Sequence, residues 1–352
     1  MPDAAPPLRI GFIGASFIAQ VVHLPCFSAV PGVKIAAIAD PRQPLREAVA
    51  KQFGAIPVAH HDELLNDPTI DAIAISVFRR CQAPLAARAL AAGKPVFSEK
   101  PLAYSHAEAA KNIALARAKN LSYAVGYMKR FDAGVRRFRT LLQQAQSSGE
   151  FGELLHVQAR DFCPTNDIPP PPHIKPSFPS DYRYEVSPPG PDGLPAEYRA
   201  DYDYTLNVIS HDINLLHFLF GPVFTAEHFT VRSARMQVAE FSIAGFDVSL
   251  AAGLSDRGKW DQEIEVFFGK GRMRLTLPSP LDRSSIASVT ITRAGMEEHI
   301  PPEGAPKWSF EAQAIDFAAA CRGKKRLDSS AEDASPDLSL IESLWEKAVW
   351  HP

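Results

Sequence analysis

The sequence predicts two domains: an α/β Rossmann N-terminal domain, then an α+β C-terminal domain with a large, mostly antiparallel open sheet. The chain has 352 residues, more than a single core usually holds. Strand and helix patterns alternate over about the first 125 residues, and the second half has consecutive strand patterns without helices between them. We expect a first domain over 1–126, a second over 127–330, and a C-terminal helix within 331–352 that packs back on the first domain.

The first domain is predicted from short apolar runs that alternate with helical patterns. The predicted strands are Leu8 to Ile13, Val33 to Ala39, Pro57 to Val58, Asp71 to Ser76, Pro95 to Ser98 and Ser122 to Gly126. The helical patterns between them are Phe17 to Val22, Pro44 to Phe53, Pro84 to Ala92 and Ser105 to Lys119. Strands and helices of this spacing form a parallel sheet with right-handed crossovers, and ligands bind at the carboxyl ends of its strands.

The second domain is predicted from strands with period-two alternation of apolar and polar residues. These strands are Glu153 to Phe162, Ala226 to Ala234, Met236 to Ile243, Phe246 to Leu254, Trp260 to Phe268 and Arg272 to Thr276. One face of such a sheet could build a subunit interface, so we expect a homodimer or homotetramer. A helix is predicted from Tyr204 to Phe220, because Gly221 and Pro222 are a strong stop signal.

A proline-rich insertion, residues 164–203, separates the first of these strands from that helix. So long an irregular segment inside a compact domain is either functional or disordered. Its aromatic and arginine content is too high for simple disorder; these residues are Tyr182, Arg183, Tyr184, Tyr198, Arg199 and Tyr202. We therefore expect an ordered lid or substrate wall, or an arm that reaches a neighbouring subunit.

Composition and charge exclude several classes of function. The net charge of −3 gives no electrostatic reason to expect a nucleic acid or membrane partner. No apolar run approaches the roughly 20 residues of a membrane span, and the first residues do not resemble a signal peptide. The four cysteines are scattered, which favours a reduced, cytoplasmic location and argues against a metal site. They are Cys26, Cys81, Cys163 and Cys321.

The turn after the first strand resembles a dinucleotide-binding loop. It begins at Gly14 but has Ser16 and Ala19 where the G-x-G-x-x-G pattern has its second and third glycines. Ser16 is small and its hydroxyl could donate to a phosphate. Asp40 follows about 20 residues later, where an acid accepts hydrogen bonds from the ribose hydroxyls and favours NAD. Arg42 keeps NADP as a less favoured alternative.

Several short motifs occur in the order seen in the Gfo/Idh/MocA oxidoreductases, and the sequence resembles this family through nearly its whole length. The motifs are the Gly-rich turn, His23-Leu24-Pro25, the strand ending at Asp40, Ala92-Gly93-Lys94, Glu99-Lys100-Pro101, Gly126 to Phe131, Gly269 to Leu277 and the closing helix around Ser339 to Ala348. The resemblance implies a nicotinamide-dependent enzyme that acts on a sugar, a cyclitol or a derivative of one.

The resemblance also implies site residues. Lys100 matches the family lysine beside the nicotinamide ribose, and His211 matches its general acid/base. The family's acid, four residues before that histidine, is replaced by Asn207, which lies on the same helix face and can orient the imidazole without adding charge. The expected cofactor-binding residues are Gly14, Ser16, Phe17, Ile18, Asp40, Arg42, Ser76, Val77, Phe78, Glu99 and Lys100. The expected substrate-binding residues are Lys129, Arg130, Asp161 and Tyr204.

Two other functions stay open at this point. One is a glycosidase or lyase that uses bound NAD for transient oxidation and returns the hydride. The other is a regulator that keeps the fold and senses the cofactor without catalysis. The asparagine at Asn207 gives the second some weight, whereas Lys100 and His211 favour an enzyme.

Overall fold

The computed structural model of the protein describes residues 6–164, 172–175, 184–233, 235–256, 258–302 and 307–350. The chain divides into two compact units. The first contains Met1–Tyr127, Pro171–Pro189 and Phe310–Ser335, and the second contains Met128–Pro170, Gly190–Ser309 and Pro336–Pro352. None of the helices in the described ranges is both long and apolar enough to cross a membrane.

The first unit contains a six-stranded parallel sheet with the strand order β3-β2-β1-β4-β5-β6. Its strands are β1 (Leu8–Ile13), β2 (Val33–Ala39), β3 (Ile56–Val58), β4 (Ala72–Ile75), β5 (Val96–Ser98) and β6 (Tyr123–Val125). This is the strand order of the Rossmann fold, so the predicted fold of this unit is confirmed. The order reverses between β1 and β4, which places the ligand crevice of such sheets at the ends of these two strands.

Ten α-helices complete the described structure. They are α1 (Leu24–Ser28), α2 (Gln43–Phe53), α3 (His61–Asn66), α4 (Gln82–Ala91), α5 (His106–Ala118), α6 (Ala133–Ser148), α7 (Arg199–Tyr204), α8 (Ser210–Phe220), α9 (Ser309–Cys321) and α10 (Ala331–Glu346). Ser105 caps α5, since its hydroxyl accepts a hydrogen bond from the Glu108 N–H at 3.2 Å. Gly54 ends α2 with a φ of +63°, a left-handed conformation that favours glycine.

The second unit contains a nine-stranded sheet with the order β14-β13-β12-β11-β7-β10-β9-β8-β15. Its strands are β7 (Leu154–Pro164), β8 (Phe224–Val231), β9 (Gln237–Ile243), β10 (Phe246–Ser255), β11 (Asp261–Phe268), β12 (Gly271–Leu277), β13 (Ser288–Arg293), β14 (Met296–Ile300) and β15 (Ala348–Trp350). Six of its strand pairs are antiparallel, while β7–β10 and β8–β15 are parallel. The predicted mostly antiparallel sheet is therefore confirmed.

Part of the segment that follows β7 does not group with the unit in which β7 lies. Residues 172–175 and 184–189 of the proline-rich insertion group with the first unit, although they follow β7 in sequence. Ser187 holds this segment there: its N–H donates to the Arg80 carbonyl at 2.7 Å, and Arg80 Nε donates to the Ser187 carbonyl at 2.8 Å. Tyr182 and Arg183, which suggested an ordered lid, lie outside the described residues.

The first residues of α10, 331–335, group with the first unit, so the expected packing of the last helix on the first domain stays a prediction, whereas residues 336–350 group with the second unit. The reason is an aromatic contact: the Trp345 ring lies 5.3 Å from Tyr202 and 5.6 Å from Phe229, centroid to centroid. The strand β15 then pairs with β8, with Val349 opposite Thr230.

Candidate active site

The turn between β1 and the next helix is shaped by Gly14, whose φ is +99°. A Cβ atom on Gly14 would lie 2.1 Å from the backbone oxygen of Ser76 and 2.8 Å from Cγ1 of Val77. Ser76 and Val77 follow β4, so this close approach occurs at the point where the strand order reverses. Phe78 comes next and is 61% exposed. The backbone can come this close only because residue 14 has no side chain.

Asp40, at the end of β2, is 1% exposed, and its carboxylate is fully used by protein donors. Its Oδ1 accepts from the Arg42 N–H at 3.0 Å and from Arg42 Nε at 2.8 Å. Its Oδ2 accepts from the Ala15 N–H at 3.0 Å and from an Arg42 terminal nitrogen at 2.6 Å. The expectation that Asp40 faces ribose hydroxyls does not fit this arrangement, because both oxygens already hold the turn and Arg42.

Arg42 connects Asp40 to the glycine-rich turn. Besides the three hydrogen bonds that Arg42 donates to Asp40, its guanidinium donates to the Ser16 hydroxyl at 2.8 Å. The Arg42 side chain is 22% exposed, so the guanidinium is held in place and still reaches the surface. The hydrogen bond to Asp40 raises the pKa of Arg42, which therefore stays charged. A fixed, partly exposed cation beside this turn can bind an anion.

The described part of the proline-rich insertion covers the helical residues that follow the turn. The His173 ring lies edge-on to Phe17, with 4.9 Å between the ring centroids. The Gln20 side chain donates to the Ile174 carbonyl at 3.0 Å and accepts from the Ile174 N–H at 2.8 Å. These contacts join the insertion to the predicted cofactor edge within the first unit.

Glu99 and Lys100 follow β5. Glu99 Oε1 lies 2.7 Å from His23 Nε2, and its Oε2 accepts from the Lys100 N–H at 3.0 Å. Burial raises the pKa of Glu99, but the hydrogen bond and charge of His23, with Lys100, outweigh it and hold this pKa below its usual value. Glu99, whose side chain is 12% exposed, is therefore a carboxylate that fixes the end of β5, and Lys100 is half-buried beside it.

Asn207 and His211 lie on a helical stretch that runs from α7 through a π-helix, Thr205–Ile209, into α8. Asp203, Asn207 and His211 are half-buried at a spacing of four residues, whereas the residues between them are buried. This pattern puts Asn207 and His211 on one face of the helix, as their spacing predicts. Turns of π-helix inside α-helices occur frequently at functional sites.

Arg130 belongs to a buried network that holds α8. Its Nε donates to Asn214 Oδ1 at 2.6 Å, and Asn214 Nδ2 donates to Asp337 Oδ2 at 2.6 Å. Asp337 Oδ1 also lies 2.8 Å from His217 Nδ1. The guanidinium of Arg130 is therefore used to hold α8. Sequence reasoning missed Asp337, which lies 120 residues from its histidine partner.

Lys129 and Asp161, two of the expected substrate-binding residues, are buried together in the second unit. Lys129 Nζ lies 3.5 Å from Asp161 Oδ2 and donates to Gln262 Oε1 at 2.7 Å. Gln262 Nε2 in turn donates to Asp212 Oδ1 at 2.6 Å. Gln262 and Asp212 are not among the site residues that the sequence predicts. The signal was present in the strand alternation, because Asp161 and Gln262 are polar residues at inward positions of β7 and β11 and are paired across the sheet.

His60, His61 and Asp62 offer three ligand atoms within 4.8 Å of one another. The guanidinium of Arg88, rather than a metal ion, contacts these residues. It lies 2.7 Å from His61 Nε2 and also pairs with Asp62. Burial, with the nearby charges of His60 and Arg88, lowers the pKa of His61 to about 4. His61 is therefore neutral at pH 7 and bound to an arginine.

The family comparison matches residues 8–127 to an oxidoreductase family with an NAD-binding Rossmann fold, GFO_IDH_MocA. Among curated relatives, a dTDP-3,4-didehydro-2,6-dideoxy-alpha-D-glucose 3-reductase of Actinomadura kijaniata is 31% identical over 185 residues, 53% of this chain and 51% of that enzyme. The chain thus matches about half the length of this relative. An inositol 2-dehydrogenase/D-chiro-inositol 3-dehydrogenase of Lacticaseibacillus casei is 24% identical over 90% of this chain and 92% of its own.

The solved structures support the fold over the whole chain. The 3-ketoreductase KijD10 from Actinomadura kijaniata, in complex with NADP and TDP-benzene, has a TM-score of 0.77 at 22% identity, covering 98% of this chain and 100% of its own. A putative myo-inositol dehydrogenase from Sinorhizobium meliloti 1021 has a TM-score of 0.69 at 21% identity, covering 97% of this chain and 98% of its own. The match of residues 8–127 agrees with the Rossmann strand order of the first unit and with the turn at Gly14, so this part of the chain is similar to the NAD-binding region of the Gfo/Idh/MocA oxidoreductases.

Proposed function

We propose that the protein is a nicotinamide-dependent oxidoreductase that acts on a secondary alcohol carbon of a sugar, cyclitol or glycoside-like substrate. The observation that carries the cofactor assignment is the turn at Gly14, where the backbone approaches β4 more closely than any side chain would allow. The substrate class is supported by the relatives, which are named as sugar reductases and inositol dehydrogenases. Cytoplasmic location and a homodimer or homotetramer stay predictions.

The chemistry is divided between the cofactor and the side chains. When bound, the nicotinamide supplies the hydride chemistry. His211 takes the proton of the reacting hydroxyl, and Asn207 on the same helix face orients the imidazole. Lys100 stabilises the developing alkoxide, since it follows a rigid strand end that Glu99 and His23 hold. Lys129, Asp161 and Tyr204 are the proposed substrate-binding residues.

We further propose that NADP is the cofactor, whereas Asp40 in the sequence favours NAD. Both oxygens of Asp40 accept hydrogen bonds from protein donors, so this acid does not present a free acceptor to a ribose hydroxyl. The guanidinium of Arg42 is held by Asp40 and Ser16 and is partly exposed, as a ligand of a 2′-phosphate should be. The complex of KijD10 with NADP agrees with this choice.

Replacement of Lys100 tests the proposed chemistry. We expect Lys100→Met to lower kcat by about 100-fold or more, the scale of losing one electrostatic stabiliser of a transition state, and to leave the Kd for NADPH nearly unchanged. The measurement is absorbance at 340 nm with a panel of sugars and cyclitols, together with a cofactor titration. Lys51→Met, at an exposed lysine of α2, is the matched control.

An unchanged kcat for Lys100→Met would remove Lys100 from the mechanism. Turnover of a glycoside without any net change in cofactor absorbance would instead indicate transient oxidation by a glycosidase or lyase. Cofactor binding without turnover of any substrate would indicate a regulator of the same fold.

A further inference from the structure

Residues 184–187 of the proline-rich insertion are fixed to the first unit by Ser187, which is 2% exposed. The Ser187 N–H donates to the Arg80 carbonyl at 2.7 Å, and its carbonyl accepts from Arg80 Nε at 2.8 Å. Its hydroxyl donates to Glu108 Oε1 at 2.7 Å. Arg80 follows β4 and Glu108 lies in the first turn of α5, so this anchor lies at the carboxyl edge of the parallel sheet.

Tyr184, three residues before the anchor, brings an aromatic ring to the same edge. Its ring centroid lies 5.8 Å from that of His61, with an angle of 35° between the two planes. His61 is the first residue of α3 and stacks on His60, with 4.4 Å between their ring centroids. Tyr184 is half-buried, so its ring packs against a histidine while part of the residue is exposed to solvent.

This ring lies at the end of the sheet edge that also contains the cation Arg42. The strands β2 and β3 are parallel neighbours, and the Asp40 N–H donates to the Val58 carbonyl at 3.4 Å. Arg42, which follows β2, and His61, which follows β3, therefore lie at adjacent strand ends. Tyr184 is also close enough to Arg42 to raise its pKa, after the larger effect of the hydrogen bond to Asp40.

The groups behind Tyr184 suit a flat, uncharged ligand better than a phosphate. Burial is the main reason that the pKa of His61 falls to about 4, so this ring is neutral at pH 7. The positive charge of Arg88, which contacts His61, is paired with Asp62. A half-buried phenol ring on a neutral imidazole favours contact with another aromatic ring system.

The proposed cofactor brings such a ring system to this place. In NADP the 2′-phosphate and the adenine are attached to adjacent carbons of the same ribose. A side chain close to the cation that binds the 2′-phosphate is therefore within reach of the adenine. Aromatic side chains bind bases by stacking against their faces.

We propose that Tyr184 binds the adenine of the dinucleotide and that Ser187 is the residue that positions Tyr184. The assignment rests on the proposed function, because it needs the 2′-phosphate at Arg42. A segment that follows β7 in sequence thus completes the adenosine end of the cofactor site in the first unit. Residues 184–187 are then a wall for the cofactor, whereas the sequence suggests a wall for the substrate.

Titration with NADPH and with 2′,5′-ADP, which contains the adenine and the 2′-phosphate, tests the role of Tyr184. Tyr184→Leu removes the ring and should raise both Kd values by about 10-fold or more, the loss of one stacked base. Tyr184→Phe keeps the ring and should keep both values. Tyr198→Leu, at another half-buried tyrosine of the insertion, is the matched control and should change neither. Equal Kd values for Tyr184→Leu and the wild type overturn the assignment.

Tyr184→Trp gives a second measurement that does not depend on a loss of affinity. We expect 2′,5′-ADP to quench the added indole fluorescence, measured as the difference from the wild type. Inorganic pyrophosphate has no base and should not quench it. The absence of quenching by 2′,5′-ADP, or equal quenching by pyrophosphate, overturns the contact with adenine.

The positioning role of Ser187 is tested in both backgrounds. Ser187→Ala removes the hydroxyl contact with Glu108 and should raise the Kd for 2′,5′-ADP in the wild type but not in Tyr184→Leu. An equal increase in both backgrounds overturns this role. A wild type that binds neither NADPH nor NADH overturns the proposed function, whereas tight NADPH binding that Tyr184→Leu leaves unchanged overturns only the adenine site.

Discussion

At the scale of single residues, the cofactor edge of the first unit depends on a backbone contact that only glycine permits. Gly14 combines a φ of +99° with an approach of 2.1 Å between its would-be Cβ and the Ser76 oxygen. The turn is then fixed by one acid, because Asp40 accepts from the Ala15 N–H at 3.0 Å. The proposed dinucleotide binding and the stability of the first unit therefore both depend on Gly14.

Replacement of Gly14 by alanine separates conformational strain from steric overlap. Gly54 also has a positive φ, +63°, but nothing lies within 4 Å of its would-be Cβ. We expect Gly54→Ala to cost about 1–2 kcal/mol, the strain of the left-handed backbone alone. Gly14→Ala should cost at least about 3 kcal/mol and abolish dinucleotide binding, because β1 and β4 must move apart. Urea unfolding and a cofactor titration measure both effects; equal losses in the two variants would contradict this account.

At the scale of secondary-structure elements, α8 is held by polar contacts that cross the sequence. Arg130 precedes α6, Asn214 and His217 lie on α8, and Asp337 lies on α10. All four side chains are buried, so each hydrogen bond they make replaces one to water. The helix that carries His211 is thereby held in place by Arg130 and by α10.

Removal of Asp337 tests this support. Asp337→Ala leaves buried polar atoms of His217 and Asn214 without their acceptor, so we expect a loss of about 3–5 kcal/mol in the free energy of unfolding. Glu332→Gln, also on α10, breaks only an exposed pair with Arg117 and should cost under about 1 kcal/mol. Denaturant unfolding of the two variants is the measurement, and similar values for both would show that the network contributes little.

The elements that the sequence predicts well are those with a strong local signal. The strand Leu8–Ile13 has the predicted bounds, because an apolar run interrupted only by Arg9 marks a strand buried on both faces. The strand β14, Met296–Ile300, was missed because its residues are mostly exposed and polar. Its position depends on the two-residue turn Ala294-Gly295, where both φ angles are positive, and on pairing with β13.

The residues of the candidate site could be predicted where a local motif marks them, and their partners distant in sequence could not. Motif positions such as Gly14, Lys100 and His211 can be read from short segments of sequence. The partners of Asp40 and Asp212 could not be, because they depend on side-chain geometry and on strands that pair over long distances. Arg42 is only two residues from Asp40, yet no sequence pattern shows that its guanidinium donates hydrogen bonds to both carboxylate oxygens of Asp40. Gln262 is 50 residues from Asp212.

At the scale of the whole molecule, the two units contain different features of the proposed function. The first has the Rossmann sheet, the turn at Gly14 and the cation Arg42, and the second has the helix with His211 and the buried polar group around Gln262. The central claim is that the first unit binds a nicotinamide dinucleotide and that Arg42 selects the 2′-phosphate.

Isothermal titration of the wild-type protein with NADPH and with NADH tests that claim most directly. The account predicts one site per chain and a Kd for NADPH at least about 10-fold lower than for NADH, the contribution of one charge-assisted hydrogen bond. Arg42→Gln should remove this difference and leave the Kd for NADH nearly unchanged. Tighter binding of NADH by the wild type would contradict the role of Arg42, and the absence of binding heat with either dinucleotide would contradict the account as a whole.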